Sequence, residues 1–155
     1  MHQLEVKRWL IHHRFPPRAG WRVCVHVDAM ERARGGEHPE GKAERVQLAE
    51  IELAALGVTF GLHPKFAPAD IVAEHAEHGT VIAEVEGTTG KQKGQALYSA
   101  LGQLVMQMRG DGQRFLLAFP DQPEWLKQAN RITEYAREKL DLSCVLVSPH
   151  GVRDV

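Results

Sequence analysis

Two cysteines in 155 residues are too few for the disulfide framework of a small secreted domain. Cys24 and Cys144 each stand in an apolar, strand-like context, where reduced core residues are expected and a catalytic thiol is not. Long hydrophobic runs are also missing. The longest, 115–119 and 144–147, fall far short of the roughly 20 residues that cross a bilayer, so no membrane span is expected. The opening Met1-His2-Gln3-Leu4-Glu5 lacks the apolar stretch of a secretory signal, which makes the cytoplasm the expected compartment. No repeat is visible, and no serine, cysteine and histidine set marks a nucleophilic hydrolase. Gly87-Thr-Thr-Gly90 precedes Lys91 but lacks the glycine and hydroxyl spacing of a nucleotide-binding loop. With 43% hydrophobic and 25% charged residues, the composition is that of a globular chain, and its length suits a single domain over 1–155.

The net charge of −1 hides a gradient. Residues 1–26 carry a balance of +4 with four histidines besides, residues 28–86 a balance of −7, and residues 87–155 a balance of +2. A basic arm beside an acidic centre suits a phosphate-binding surface next to a cation site, and it equally suits the solvated faces of a near-neutral protein.

Periodicity organises the chain into a lead-in of helix, strand and loop over 1–42, a core over 43–119 and a C-terminal part over 120–155. Leu4 to His12 reads as a short helix stopped by Pro16-Pro17, and Trp21 to Val27 alternates as a half-buried strand. Val46, Ala49, Leu53 and Leu56 recur at helical spacing before Gly57. Val58 to Phe60 suits a short strand, and two longer strands, Asp70 to Glu74 and Thr80 to Glu86, form a hairpin around residues 75–79. A helix from about Lys91 to Arg109 carries Leu97, Leu101, Leu104, Val105 and Met108 on one stripe. Arg114 to Phe119 is a buried strand, Asp121-Gln-Pro-Glu124 caps one helix running to about Leu140, and Cys144 to Ser148 closes as another strand. The expected fold is α/β, a mixed sheet with helices packed on it.

The acidic residues of the hairpin carry the chemistry. Side chains two apart on a strand share a face, so Thr80, Ile82, Glu84 and Glu86 oppose a core face of Val81, Ala83 and Val85. A five-residue loop pairs Glu74 with Thr80 and sets Asp70 opposite Glu84. Like charges so placed weaken a hairpin by up to about 1 kcal/mol per pair. A divalent cation removes the conflict: Mg²⁺, or Mn²⁺ in its place, takes carboxylate oxygens, keeps waters and reaches phosphate through open positions.

Pro68-Ala-Asp70, thirteen residues, then Glu84-Val-Glu86-Gly, followed by a helix with Ala100-Leu-Gly-Gln103-Leu, resembles the PD-(D/E)XK nuclease superfamily. The resemblance implies a restriction-endonuclease-like core of helix, three-strand meander, helix and strand, here with a further helix and strand at the C-terminus. It implies a metal-dependent endonuclease hydrolysing DNA phosphodiesters, in which Asp70 and Glu84 match the two metal-binding acids. Gln103 matches the glutamine often found on the following helix, and Glu50 resembles an auxiliary acid on the first. The family's lysine two residues after the second acid is replaced by Glu86. Three readings stand: Glu86 is a third ligand or a base for water, the lysine's role has passed to Lys91 or Lys93, or the site has lost activity. The last gives the alternative function, an inactive domain of this fold that binds nucleic acid or a protein partner.

On the second core helix, Ala96, Ala100, Gln103 and Gln107 share a flank, which gives Gln107 a possible role toward a backbone or phosphate. Arg14, Arg18 and Arg22 are candidates for DNA phosphates, with Trp21 a candidate for base stacking. His75 and His78 lack the further ligands of a zinc site. Cutting both strands of a duplex usually takes two sites, a task that a homodimer would suit, and a separate protein could supply targeting.

Overall fold

In the computed structural model, which describes residues 1–29, 31, 41–88 and 92–155, one mixed seven-stranded sheet carries helices on both faces. The elements are α1 (Gln3–Arg14), a 3-10 turn (Pro17–Ala19), β1 (Arg22–Val25), α2 (Lys42–Leu56), β2 (Thr59–Phe60), β3 (Ile71–His75), β4 (Gly79–Val85), α3 (Lys93–Gln107), β5 (Gln113–Pro120), α4 (Pro123–Ala129), α5 (Glu134–Leu140), β6 (Leu142–Ser148) and β7 (Gly151–Asp154). Strand order is β2-β1-β3-β4-β5-β6-β7. No helix among the described residues is long and apolar enough to cross a membrane.

The hairpin has the register that the sequence predicts, Glu74 opposite Thr80 and Ile71 opposite Ala83, which brings Asp70 to the level of Glu84. Strands β1, β3 and β4 form an antiparallel meander, and β4, β5 and β6 continue it in parallel. The meander therefore begins with β1 and not with residues 58–60. That short segment is β2, parallel to β1 at the sheet edge, so α2 and β2 form an excursion between the first and second meander strands.

Both faces of the sheet are covered, and this corrects the expected outer face of β4. Val81, Ala83 and Val85 join Leu4, Leu10, Ile11, Val46 and Leu53 beneath α1 and α2. Ile82 joins Leu97, Leu104, Phe119 and Trp125 beneath α3 and α4. Parallel strands joined by helical crossovers are sandwiched in this way, so Glu84, expected on the outer face, is 4% exposed.

Two further corrections concern the C-terminal part. The single helix expected to Leu140 is two, broken at residues 130–133, where Thr133 accepts a hydrogen bond from the Ala136 N–H and starts α5. Pro123 occupies the first turn of α4, whereas Asp121, expected as a cap, pairs with Arg153 on β7 at 2.9 Å. Strand β7 folds back on β6, an extra hairpin that residues 149–155 give little pattern for. Cys144 is buried as expected, but Cys24 is only partly so, and both thiols are free.

Candidate functional site

The hairpin's open end meets the first turns of α1, and a glycine makes the approach possible. A Cβ at Gly87 would lie 2.4 Å from the Gln3 nitrogen, so a larger residue after β4 would push α1 away. Two hydrogen bonds clasp the segments: the Thr88 N–H donates to the Met1 carbonyl at 2.7 Å, and the terminal ammonium donates to the Thr88 hydroxyl at 3.0 Å. This clasp sets Gln3 and Lys7, one turn apart on α1, against Asp70. Gln3 Nε2 donates to both Asp70 oxygens, at 3.2 and 3.4 Å, and the Val85 N–H donates to Oδ2 at 2.9 Å.

Lys7 is fully buried. Its ammonium lies 2.7 Å from Asp70 Oδ1 and 2.6 Å from Glu31 Oε1, and it donates to the His26 carbonyl at 2.6 Å. Burial works against the charge, but Asp70 and Glu31 outweigh it, and the lysine's pKa is raised. Glu31 is held by a reciprocal turn in which its N–H donates to Asp28 Oδ1 and the Asp28 N–H donates to Glu31 Oε1. Burial raises the Glu31 pKa, with Lys7 opposing.

Glu84 faces α3, where Gln107 Nε2 donates to its Oε1 at 2.7 Å. Burial first, and the Asp70 charge second, push its pKa up to about 8, and it hydrogen-bonds Asp70. At neutral pH Glu84 is therefore mainly protonated and donates to the Asp70 carboxylate, so the pair shares one proton. Glu31 Oε2 and Gln107 Oε1 flank this pair as buried acceptors without a partner among the described residues. A cleft of about 290 Å³ opens beside it, lined by Gln3, Glu31, Lys42, Glu86 and Ser99 among others.

Among the described residues no three histidine, cysteine or carboxylate groups converge as a metal cluster. Two hard carboxyl groups at one level of the hairpin are the donor chemistry that Mg²⁺ takes, although both are buried and neither lines the cleft. Asp70 and Glu84 would hold the ion in place of the shared proton.

The remaining predicted residues are dispersed. Gln103 is exposed on α3 while Gln107 is 2% exposed and touches Glu84, so the helix is rotated from the expected stripe, and Val105 at 47% lies outside the core. Gln107 has no surface to offer DNA. Lys93 reaches over the Trp125 ring, 5.9 Å from its centre, and Lys91 lies outside the described residues. Glu50 is half-buried on α2. Arg14 forks onto Asp154 at 2.9 and 3.0 Å, Arg22 lies 3.6 Å from Glu74, and Arg18 is exposed on the 3-10 turn, all toward the closed end of the hairpin.

Sequence reasoning missed Lys7, Glu31 and Gln3. The signal for Lys7 was available: positions 4, 7 and 11 form one helical stripe, and a lysine stands between Leu4 and Ile11. No protein-family model, curated protein or solved structure matches the chain.

Proposed function

We propose that the chain is a metal-dependent endonuclease that hydrolyses DNA phosphodiester bonds at the Asp70–Glu84 pair, on a restriction-endonuclease-like core of α1, β1, β3, β4, α3 and β5. The observation that carries this reading is the buried Asp70–Glu84 pair, which keeps two carboxyl groups side by side at the cost of holding a proton at neutral pH. A sequence selected for stability alone gains nothing from this arrangement.

Asp70 and Glu84 would hold Mg²⁺ or Mn²⁺, which when bound supplies Lewis acidity toward the phosphodiester. Lys7 pairs with Asp70 and Gln3 orients it, and Gln107 fixes the Glu84 carboxyl. Glu86, on the cleft wall, is the base for the attacking water. Lys7 supplies the buried cation that the hairpin motif lacks at position 86. Two such sites cut a duplex when the chain pairs as a homodimer.

One observation favours the second reading, a non-catalytic domain that binds nucleic acid or a protein partner: both Asp70 oxygens already accept hydrogen bonds within the chain. Incubation of supercoiled plasmid and single-stranded DNA with the protein and Mg²⁺ or Mn²⁺ separates the two. The nuclease reading expects metal-dependent cutting that is lost in folded Asp70→Asn and Glu84→Gln proteins, and it fails if neither metal supports cutting.

A further inference from the structure

At the closed end of the β3–β4 hairpin, away from the carboxylate pair, three rings gather. His75 and His78 stack with centroids 4.5 Å apart, and Trp21 lies 5.9 Å from His78 at an interplanar angle of 23°. The backbone locks this stack. His75 Nε2 is 3.0 Å from the Ala19 carbonyl oxygen, and a Cβ on Gly20, whose φ is 95°, would meet the same nitrogen at 2.9 Å. Beside the rings opens a pocket of about 220 Å³ with Phe15 in its wall and Arg14, Arg114 and Ser143 among its polar lining.

The polar groups are unequal. Arg14 is neutralised by Asp154, whereas Arg114 donates one N–H to the His78 carbonyl at 2.7 Å and has no carboxylate partner among the described residues. Ser143 is exposed and lines the pocket. An apolar wall, a preformed ring stack, an uncompensated guanidinium and a hydroxyl are what a planar heterocycle bearing an anionic group requires.

We infer that this pocket binds one nucleotide unit, its base against the Trp21 and His78 rings and its phosphate at Arg114. The unit comes from a free nucleotide or from an unpaired strand, since bases within a duplex have both faces stacked and offer neither to a protein ring. The inference is independent of the nuclease reading.

The test is binding without any metal, by calorimetry with adenosine monophosphate and by fluorescence anisotropy with a labelled oligothymidylate of about ten nucleotides. Saturable binding of either probe is expected, weakened at least about fivefold in Trp21→Leu and in Arg114→Gln. Thermal melts establish that each variant is folded, and if Trp21→Leu is not, Arg114→Gln decides alone. Binding of the monophosphate only assigns a free-nucleotide site, and binding of both probes assigns a strand site. Absence of binding at millimolar monophosphate and micromolar oligonucleotide overturns the inference, as does binding that neither substitution changes.

Discussion

The ammonium of Lys7 lies 2.7 Å from Asp70 and 2.6 Å from Glu31, with none of the lysine exposed to solvent. One cation from the first helix thus balances two carboxylates, one from the approach to β3 and one from the chain beyond β1. Removing it leaves buried negative charge with no counterion among the described residues. Lys7→Met is expected to cost about 3–5 kcal/mol of stability. Combining it with Glu31→Gln should cost less than the two changes added together, as double-mutant cycles by urea denaturation will show.

The raised pKa of Glu84 makes stability depend on pH. The unfolded chain releases this proton near 4.5 and the folded chain near 8, so the native state binds more protons across that window. Stability therefore falls as pH rises from about 4.5 to about 8, by an amount on the order of 3–5 kcal/mol. Burial raises the Glu31 pKa as well and contributes in the same direction. Urea denaturation at pH 5 and pH 8 should show the fall in the metal-free protein, and Glu84→Gln should remove most of it.

The two glutamines of α3 should behave differently although both stand on the flank predicted from sequence. Gln107→Ala removes a hydrogen bond to buried Glu84 and is expected to cost about 1–3 kcal/mol. Gln103→Ala, at an exposed position, should stay within about 0.5 kcal/mol of the parent. Thermal melts at one pH compare them.

Gly87→Ala tests the clasp between the hairpin's open end and α1. The added methyl group meets backbone at 2.4 Å, which no side-chain rotation relieves. A loss of about 1–3 kcal/mol is expected, with faster hydrogen exchange in the first turn of α1 as that turn is displaced from Asp70.

The hairpin register was legible because alternation and loop length fix it without tertiary information: Asp70 and Glu84 stand at one level in both sequence and structure. The helix at 42–56 was legible from its period and glycine stop, and that at 93–107 from its period alone, since it ends on Met108. What lay beyond reach was long-range. Nothing local says that α1 crosses the hairpin end, that β1 supplies the first meander strand, or that residues 59–60 pair at the edge. The α3 rotation was hidden because Val105 and Met106 are apolar yet exposed, while the polar Gln107 is buried against Glu84. Lys7 was counted with the basic arm when its helical position already set it among core residues.

The most direct test of the Asp70–Glu84 site is calorimetric titration of the protein with Mn²⁺ at pH 7 in buffers of different ionisation enthalpy. If the pair exchanges its shared proton for a cation, Mn²⁺ binds saturably, about one proton is released per ion, and folded Asp70→Asn and Glu84→Gln proteins lose both signals. Absence of binding up to millimolar Mn²⁺, or binding that both variants retain, would contradict the metal-dependent reading.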